Sequence, residues 1–275
     1  VAARQHALPG LGLGLGITLT YLVLLILIPL SAIPIRTATM GWERFVEVVT
    51  SERALAAYRL SFSAALAAAA INAVFGFVVA WVLERYTFPG RRLIDGLVDL
   101  PFALPTAVAG IALTTLYSGT GWIGKYLEPH GVKVAYSRLG VVVALTFVGL
   151  PFVVRSVQPV LAGLGRDLEE AAASLGAGRF RIFRSILLPR LVPAILTGFT
   201  LAFARGLGEY GSVIFIAGNL PLVSEITPLL IVIRLEEFDY PAATAIAFVF
   251  LILSFSTLLV INLISWRRSR AMGQG

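Results

Sequence analysis

The sequence has no cysteine, two histidines and little charge. Without cysteine, disulfide frameworks, thiolate metal sites and thiol nucleophiles are excluded. His6 and His130 stand far apart in loop-like contexts, so a zinc site built on them is not expected. Asp, Glu, Lys and Arg make up 13% of the 275 residues, while 58% are hydrophobic. A soluble domain carries about a quarter charged residues. With a mean hydropathy of +0.89, the chain has more apolar surface than a water-soluble fold could hide, whereas lipid could cover it.

Runs of about 20 apolar residues cross a bilayer as helices. The sequence predicts six, making one all-α transmembrane domain over 1–275: Leu11–Ile33, Leu60–Leu83, Leu97–Tyr117, Leu139–Leu161, Leu191–Ala217 and Ala242–Ile264. The third and fourth are the least regular, because of Pro101, Pro105, Pro151 and Arg155. The first is too long for a cleavable signal segment, and Pro29 through Pro34 offers no small-x-small cleavage site. An even number of spans leaves both termini on one side. With the termini inside, thirteen of the 22 Lys and Arg fall on inner segments and eight on outer ones, with Arg205 within a span. The positive-inside rule therefore predicts cytoplasmic termini. The formal net charge of +7 lies between apolar runs rather than on one face, which argues against a nucleic-acid surface.

Two glycine-rich stretches imitate nucleotide sites. Gly119-Thr-Gly-Trp-Ile-Gly124-Lys125 is followed by Tyr126 where a phosphate loop needs Ser or Thr, and it lies between spans rather than between strand and helix. An ordinary glycine turn is expected. Gly10, Gly12, Gly14 and Gly16 lack the dinucleotide spacing, but Gly10/Gly14 and Gly12/Gly16 have the four-residue interval that lets membrane helices pack closely.

The most informative stretch is the inner loop 162–190, far longer than a tight connection. Asp167 and Glu170 are placed to cap a short helix that continues through Ala171, Ala172, Ala173, Ser174 and Leu175. Gly176 is suited to ending it in a left-handed conformation. A second amphipathic stretch, Arg179 to Leu188, leads to Pro189 and Pro193 at the entrance of the fifth span. The physics leaves two readings open: an interfacial helix held by lipid headgroups, or a docking knob for a cytoplasmic partner.

These residues resemble a known family. Glu170-Ala171-Ala172, three residues, Gly176, nine residues, Ile186, one residue, Leu188-Pro189 is similar to the EAA loop of ABC importer permeases. The resemblance implies a type I importer fold, with Glu170, Ala171, Ala172, Gly176, Arg179, Ile186, Leu188 and Pro189 as the element that couples to a cytoplasmic ATPase. Asp99-Leu-Pro-Phe-Ala-Leu-Pro-Thr106, Pro151-Phe-Val-Val-Arg-Ser-Val-Gln-Pro159, Gly208-Glu-Tyr-Gly-Ser-Val-Ile-Phe-Ile-Ala-Gly-Asn219 and Arg234-Leu-Glu-Glu-Phe-Asp-Tyr-Pro-Ala242 resemble the sulfate/thiosulfate permeases. The subunit type is the one called the T (or U) permease. Molybdate and tungstate permeases share parts of these motifs. The resemblance implies a bacterial-type inner membrane location, two ATP-binding subunits, a second homologous permease and an external anion-binding protein. ATP and magnesium would be used by the partner ATPase, with no cofactor on this chain.

Two other classes stand beside this one. An ion-coupled secondary transporter would show inverted repeats and need no EAA loop; an intramembrane enzyme would need an acid–base or metal constellation within the spans. With Asp99 and Arg155 counted to the inner segments, the spans hold Arg205 and Glu209 as their charges. Four residues apart on one predicted helix, they read equally as a compensated buried pair or as a pathway element: Arg205 meeting a passing dianion, Glu209 orienting it, and Gly206, Gly208 and Gly211 allowing close approach or flexing. Outside the membrane, Thr227 as cap and Pro228 at the first position are expected to start a short helix whose Leu229 to Ile233 face the protein.

Overall fold

The computed structural model describes the backbone of residues 11–165 and 167–271, with side chains described from 12 to 263. Arg4, His6, Gly10 and Arg166, and the side chains of Arg267, Arg268 and Arg270, lie outside the described residues. The fold is helical, with no strand among the described residues. In chain order the elements are α1 (Gly12–Ala38), α2 (Trp42–Val49), α3 (Glu52–Arg85), α4 (Arg91–Val98), α5 (Leu100–Ala103), α6 (Thr106–Tyr117), α7 (Gly124–Leu127), α8 (Arg138–Gly163), α9 (Asp167–Ser174), α10 (Arg179–Leu207), α11 (Val213–Ile216), α12 (Thr227–Glu236) and α13 (Tyr240–Ala271).

Among the described residues, α1, α3, α8, α10 and α13 are long and apolar enough to cross a membrane. The predicted third span is not one helix. It runs from the last two residues of α4 through α5 and α6, with Leu104 and Pro105 extended between the last two. At 1.5 Å per residue, α6 covers about 18 Å, short of the roughly 30 Å hydrocarbon core. The predicted fifth span is also corrected at both ends. It begins at Arg179, through a π-helical turn at Phe183–Leu187, and it stops at Leu207 instead of running to Ala217. Pro189 and Pro193 therefore sit inside one continuous helix, so the inner loop is shorter than predicted.

The core is the mutual packing of α3, α8 and α10, and small residues let it close. Ala64, Ala65, Ala68 and Ala69 form a buried stripe on α3. A Cβ on Gly76 would lie 2.9 Å from Val153 Cβ, and one on Gly198 would lie 2.6 Å from Val153 Cα. Two helices thus close on the same valine of α8. A Cβ on Gly149 would meet the Asn72 amide nitrogen at 2.6 Å; Asn72, fully buried, donates to the Thr146 carbonyl at 3.0 Å. Lipid tails are as apolar as leucine, so such close approach and interhelical hydrogen bonds supply the helix association that hydrophobicity cannot.

Among the described residues the small-residue packing expected near the start is not made, and Gly10 lies outside them. No atom comes within 4 Å of where a Cβ on Gly12, Gly14 or Gly16 would lie. The final part of α1, Ile28–Ala38, packs on α13. The glycines after α6 do form a plain turn: Gly121 and Gly124 press against the carbonyls of Thr115 to Ser118, leaving no room for a Cβ. In the external segment, Thr227 is the first residue of α12 rather than its cap. Ser61 of α3 receives its amide at 2.8 Å. Of the five residues expected to face the protein, Leu229 and Leu230 are buried, while Ile231, Val232 and Ile233 are half-buried.

Candidate functional site

The inner loop folds into a short exposed knob on an anchored stem. Asp167, Glu169 and Glu170 occupy the first turn of α9, where carboxylates suit the free amides and the helix dipole. Asp167 is thus helical rather than the cap. Gly176 ends the helix at φ +83°, donating to the Ala173 carbonyl at 2.9 Å, and Ala177 donates to Ala172 at 3.0 Å. Only glycine takes this turn without cost. The eight EAA-loop residues divide into two groups. Glu170, Ala171, Gly176 and Arg179 are exposed, with Leu175 at 90% and Phe180 at 74% exposure beside them. Ala172, Ile186, Leu188 and Pro189 are half-buried, and the first two pack against the core.

Anchoring comes from contacts that the sequence motif does not reveal. Arg85, at the end of α3, pairs with Glu169 at 2.8 Å and donates to the Leu164 carbonyl at 3.2 Å. Its guanidinium lies 5.7 Å from the centre of the Trp81 ring. Phe183, in the π turn, stands edge-on to Trp81 at 5.7 Å and tilts against Phe77 at 6.2 Å. The knob is thereby attached to α3, and after the Gly176 turn the chain leads directly into α10.

A second set of contacts joins two motifs 56 residues apart. The Arg155 guanidinium of α8 donates Nε to Asp99 Oδ1 at 2.8 Å, Nη1 to Asp95 Oδ1 at 2.7 Å and to Gln158 at 2.6 Å, and Nη2 to the Asp95 carbonyl at 2.8 Å. Phe102 meets Phe152 edge-on at 5.2 Å. Arg155 thus clamps the broken third span to α8. Its hydrogen bond, followed by that of Gln158, holds the Asp95 carboxyl below its ordinary pKa.

Arg205 and Glu209 are brought together, but not as two turns of one helix. Arg205 lies in the last turn of α10, away from the centre of the span, and Glu209 follows the break at Gly208. Arg205 Nη1 meets Glu209 Oε2 at 2.7 Å, with the arginine side chain 36% exposed and the glutamate 1%. Glu209 Oε1 accepts from both the amide and the hydroxyl of Ser212, each at 2.9 Å. The buried carboxylate therefore organises the turn into α11 while neutralising a guanidinium that reaches open space. Gly110 of α6 presses on the Ser212 backbone, and Gly211 on Thr106, each too closely for a Cβ. The two interrupted helices cross here. Gly206 rests against Ala65, whereas a Cβ on Gly208 would meet no atom within 4 Å. Among the described residues no group of three His, Cys, Asp or Glu could hold a metal ion.

The family model for the binding-protein-dependent transport system inner membrane component matches residues 72–270. The chain belongs to that family. It is a multi-pass membrane transport subunit of the ABC permease class, and the family works with ATP-binding subunits and a substrate-binding protein. The sulfate transport system permease protein CysT of Salmonella typhimurium is 51% identical over 243 residues, 88% of each chain. Its counterpart in Synechocystis is 50% identical over 245 residues, 89% of this chain and 86% of that one. A chain of a bacterial ABC transporter involved in the import of the acidic polysaccharide alginate superposes with a TM-score of 0.77 at 18% identity, covering 94% of this chain and 95% of that one. An inward-facing MetNI methionine ABC transporter gives 0.55 at 17% identity, covering 84% and 99%. These likenesses show the type I permease fold. Within it, the EAA-loop residues form the knob and its stem, and Arg205 and Glu209 lie at the crossing of the two broken helices.

Proposed function

We propose that this chain is one permease half of an ATP-driven importer for sulfate-like oxyanions. The observation that carries the reading is the 51% identity, over 88% of both chains, with a protein named as a sulfate permease. It is supported by a half-exposed guanidinium at the helix crossing and by a knob whose Leu175 and Phe180 need a protein cover. Both termini are cytoplasmic, following the positive charge. Exposed Glu170, Ala171, Gly176 and Arg179 seat in a cytoplasmic ATPase, which uses ATP and magnesium. Half-buried Ala172, Ile186, Leu188 and Pro189 carry its closure into α10 and, through Arg85 and Phe183, into α3.

At the other end of α10, Arg205 offers a charge to the passing dianion. Glu209, already saturated by Ser212, keeps the guanidinium oriented and prevents tight trapping. One such chain supplies one wall of a pathway. A second, homologous permease supplies the other, with two ATPase subunits and an external anion-binding protein completing the complex. Reconstitution of these components into vesicles, with labelled sulfate, thiosulfate, molybdate and tungstate supplied in turn, tests the reading. Sulfate or thiosulfate uptake that requires ATP supports it. Uptake confined to molybdate and tungstate reassigns the anion, and uptake that runs on an ion gradient without ATP overturns the reading.

A further inference from the structure

A cavity of about 590 Å³ opens between the start of α3, the start of α8 and the segment before α12, lined by Glu52, Arg59, Ser63, Arg138, Leu222 and Glu225 among others. At about 30 Å³ per water, it has room for about twenty waters, enough for a partly hydrated tetrahedral anion. Its charges are of two kinds. Glu225 is buried and spent: Arg53 donates Nε and Nη2 to its two oxygens, each at 2.7 Å. Arg138 is fixed but not neutralised, since it donates Nε to the Val223 carbonyl at 2.7 Å and Nη2 to the Leu222 carbonyl at 3.3 Å, and pairs with no carboxylate among the described residues. Arg59 makes no hydrogen bond or ion pair among the described residues, and it is exposed to the cavity. Ser63 has spent its hydroxyl proton on the Leu60 carbonyl. Glu52 lies in the first turn of α3, against the positive end of the helix dipole.

We infer that this cavity is an oxyanion vestibule, in which Arg59 receives the anion with Arg138 as the fixed second charge, before it reaches Arg205. The inference rests on the import reading above and on the outer location of this end of α3. A guanidinium presents a planar fork of donors that matches two oxygens of a tetrahedral anion, where an ammonium would offer only a point charge. The arrangement of one anchored and one unengaged arginine has a physical use. The anchored one sets a positive potential without conformational cost, and the unengaged one can follow the anion inward. The acids around them do not cancel this. Glu225 is saturated by Arg53, leaving Glu52 as the single carboxylate facing two guanidiniums.

The sequence has no cysteine, so a thiol introduced here is this subunit's own, and a wild-type complex treated with the same reagents reports any effect on partner thiols. Arg59→Cys is assembled with its partner permease, ATPase and binding protein in vesicles. Loss of one charge-assisted contact should lower uptake at limiting sulfate about tenfold, with little loss at saturating sulfate. An aminoethyl methanethiosulfonate adduct restores a positive charge and should recover most of the uptake. A sulfonatoethyl adduct adds a negative charge and should abolish it. In phospholipid-free detergent, sulfate should slow labelling of the thiol. If sulfate slows nothing there and only anionic phospholipid does, the group is a headgroup contact and the vestibule is rejected. Wild-type uptake by unmodified Arg59→Cys, or equal rescue by both adducts, also rejects it. A wild-type complex inert towards sulfate in the same vesicles would instead overturn the import reading.

Discussion

The ion pair at the helix crossing gives an asymmetric prediction. Glu209 is 1% exposed and Arg205 36%, so the two partners do not bear the same cost when left alone. Arg205→Gln strands a carboxylate with no water to replace the guanidinium. Leaving a buried charge uncompensated costs about 3–5 kcal/mol. Glu209→Gln strands a guanidinium that is 36% exposed, and the new amide oxygen can still accept from Ser212. Its cost is about 1–2 kcal/mol, that of a weakened buried hydrogen bond. Arg205→Gln with Glu209→Gln removes both charges and keeps the shape, so it should recover most of the loss. Thermal midpoints of the assembled complex should therefore order as wild type, double variant, Glu209→Gln and Arg205→Gln, from highest to lowest. Uptake should not follow this order. If Arg205 meets the anion, the double variant should assemble well and still transport poorly. A double variant that transports as wild type would refute the pathway role, and an Arg205→Gln complex as stable as Glu209→Gln would refute the reasoning from burial.

Other positions give simpler outcomes. Gly176→Asp should leave insertion intact, because no atom of the described residues other than its chain neighbours lies within 4 Å of where its Cβ would be, yet place a charge and about 1 kcal/mol of left-handed strain in the knob; ATPase copurification and ATP-driven uptake should both fall sharply. Gly198→Val drives a branched side chain onto Val153 Cα, which would be 2.6 Å away even from a Cβ; it should destabilise the complex by about 1–3 kcal/mol, read as a lower thermal midpoint. Because Arg155 lowers the Asp95 pKa in the folded state, the contribution of that carboxylate is complete above its ordinary pKa and lost as pH falls through the depressed one. Exchange protection of α4 should thus be constant through neutral pH and decline only below about pH 4, and Asp95→Asn should flatten that decline.

Hydropathy made the membrane class and most of the spans legible, because the long runs of α1, α3, α8, α10 and α13 need nothing but apolar length. It could not show the two interruptions. Leu104 is as apolar as its neighbours, and Gly208 is an ordinary residue of a membrane helix, so a window average passes over both. Breaks at membrane depth depend on what surrounds them, here Gly110 against Ser212 and Gly211 against Thr106. In the inner loop, Gly176 was legible because its conformation is local. The continuity of α10 was not, because Pro189 and Pro193 read as a start. Side-chain partners were the least legible. The motifs containing Asp99 and Arg155 each stood out in the sequence, but their meeting depends on how α4 and α5 lie against α8. Arg85 with Glu169, and Arg53 with Glu225, are likewise products of the fold.

The π turn at Phe183–Leu187 gives α10 a screw joint. A π turn is an α-helix holding one surplus residue in a single loop of backbone. If that loop moves along the helix by one position, the residue it passes is rotated by about 100° and advanced by about 1.5 Å relative to the rest. On one side of the joint stands the exposed knob, and on the other stand Leu191, Ala194 and Gly198, buried in the core. Phe183, wedged between Phe77 and Trp81, marks where the thread is held. A shift of that loop would re-aim the side chain it passes and leave both ends of α10 in register.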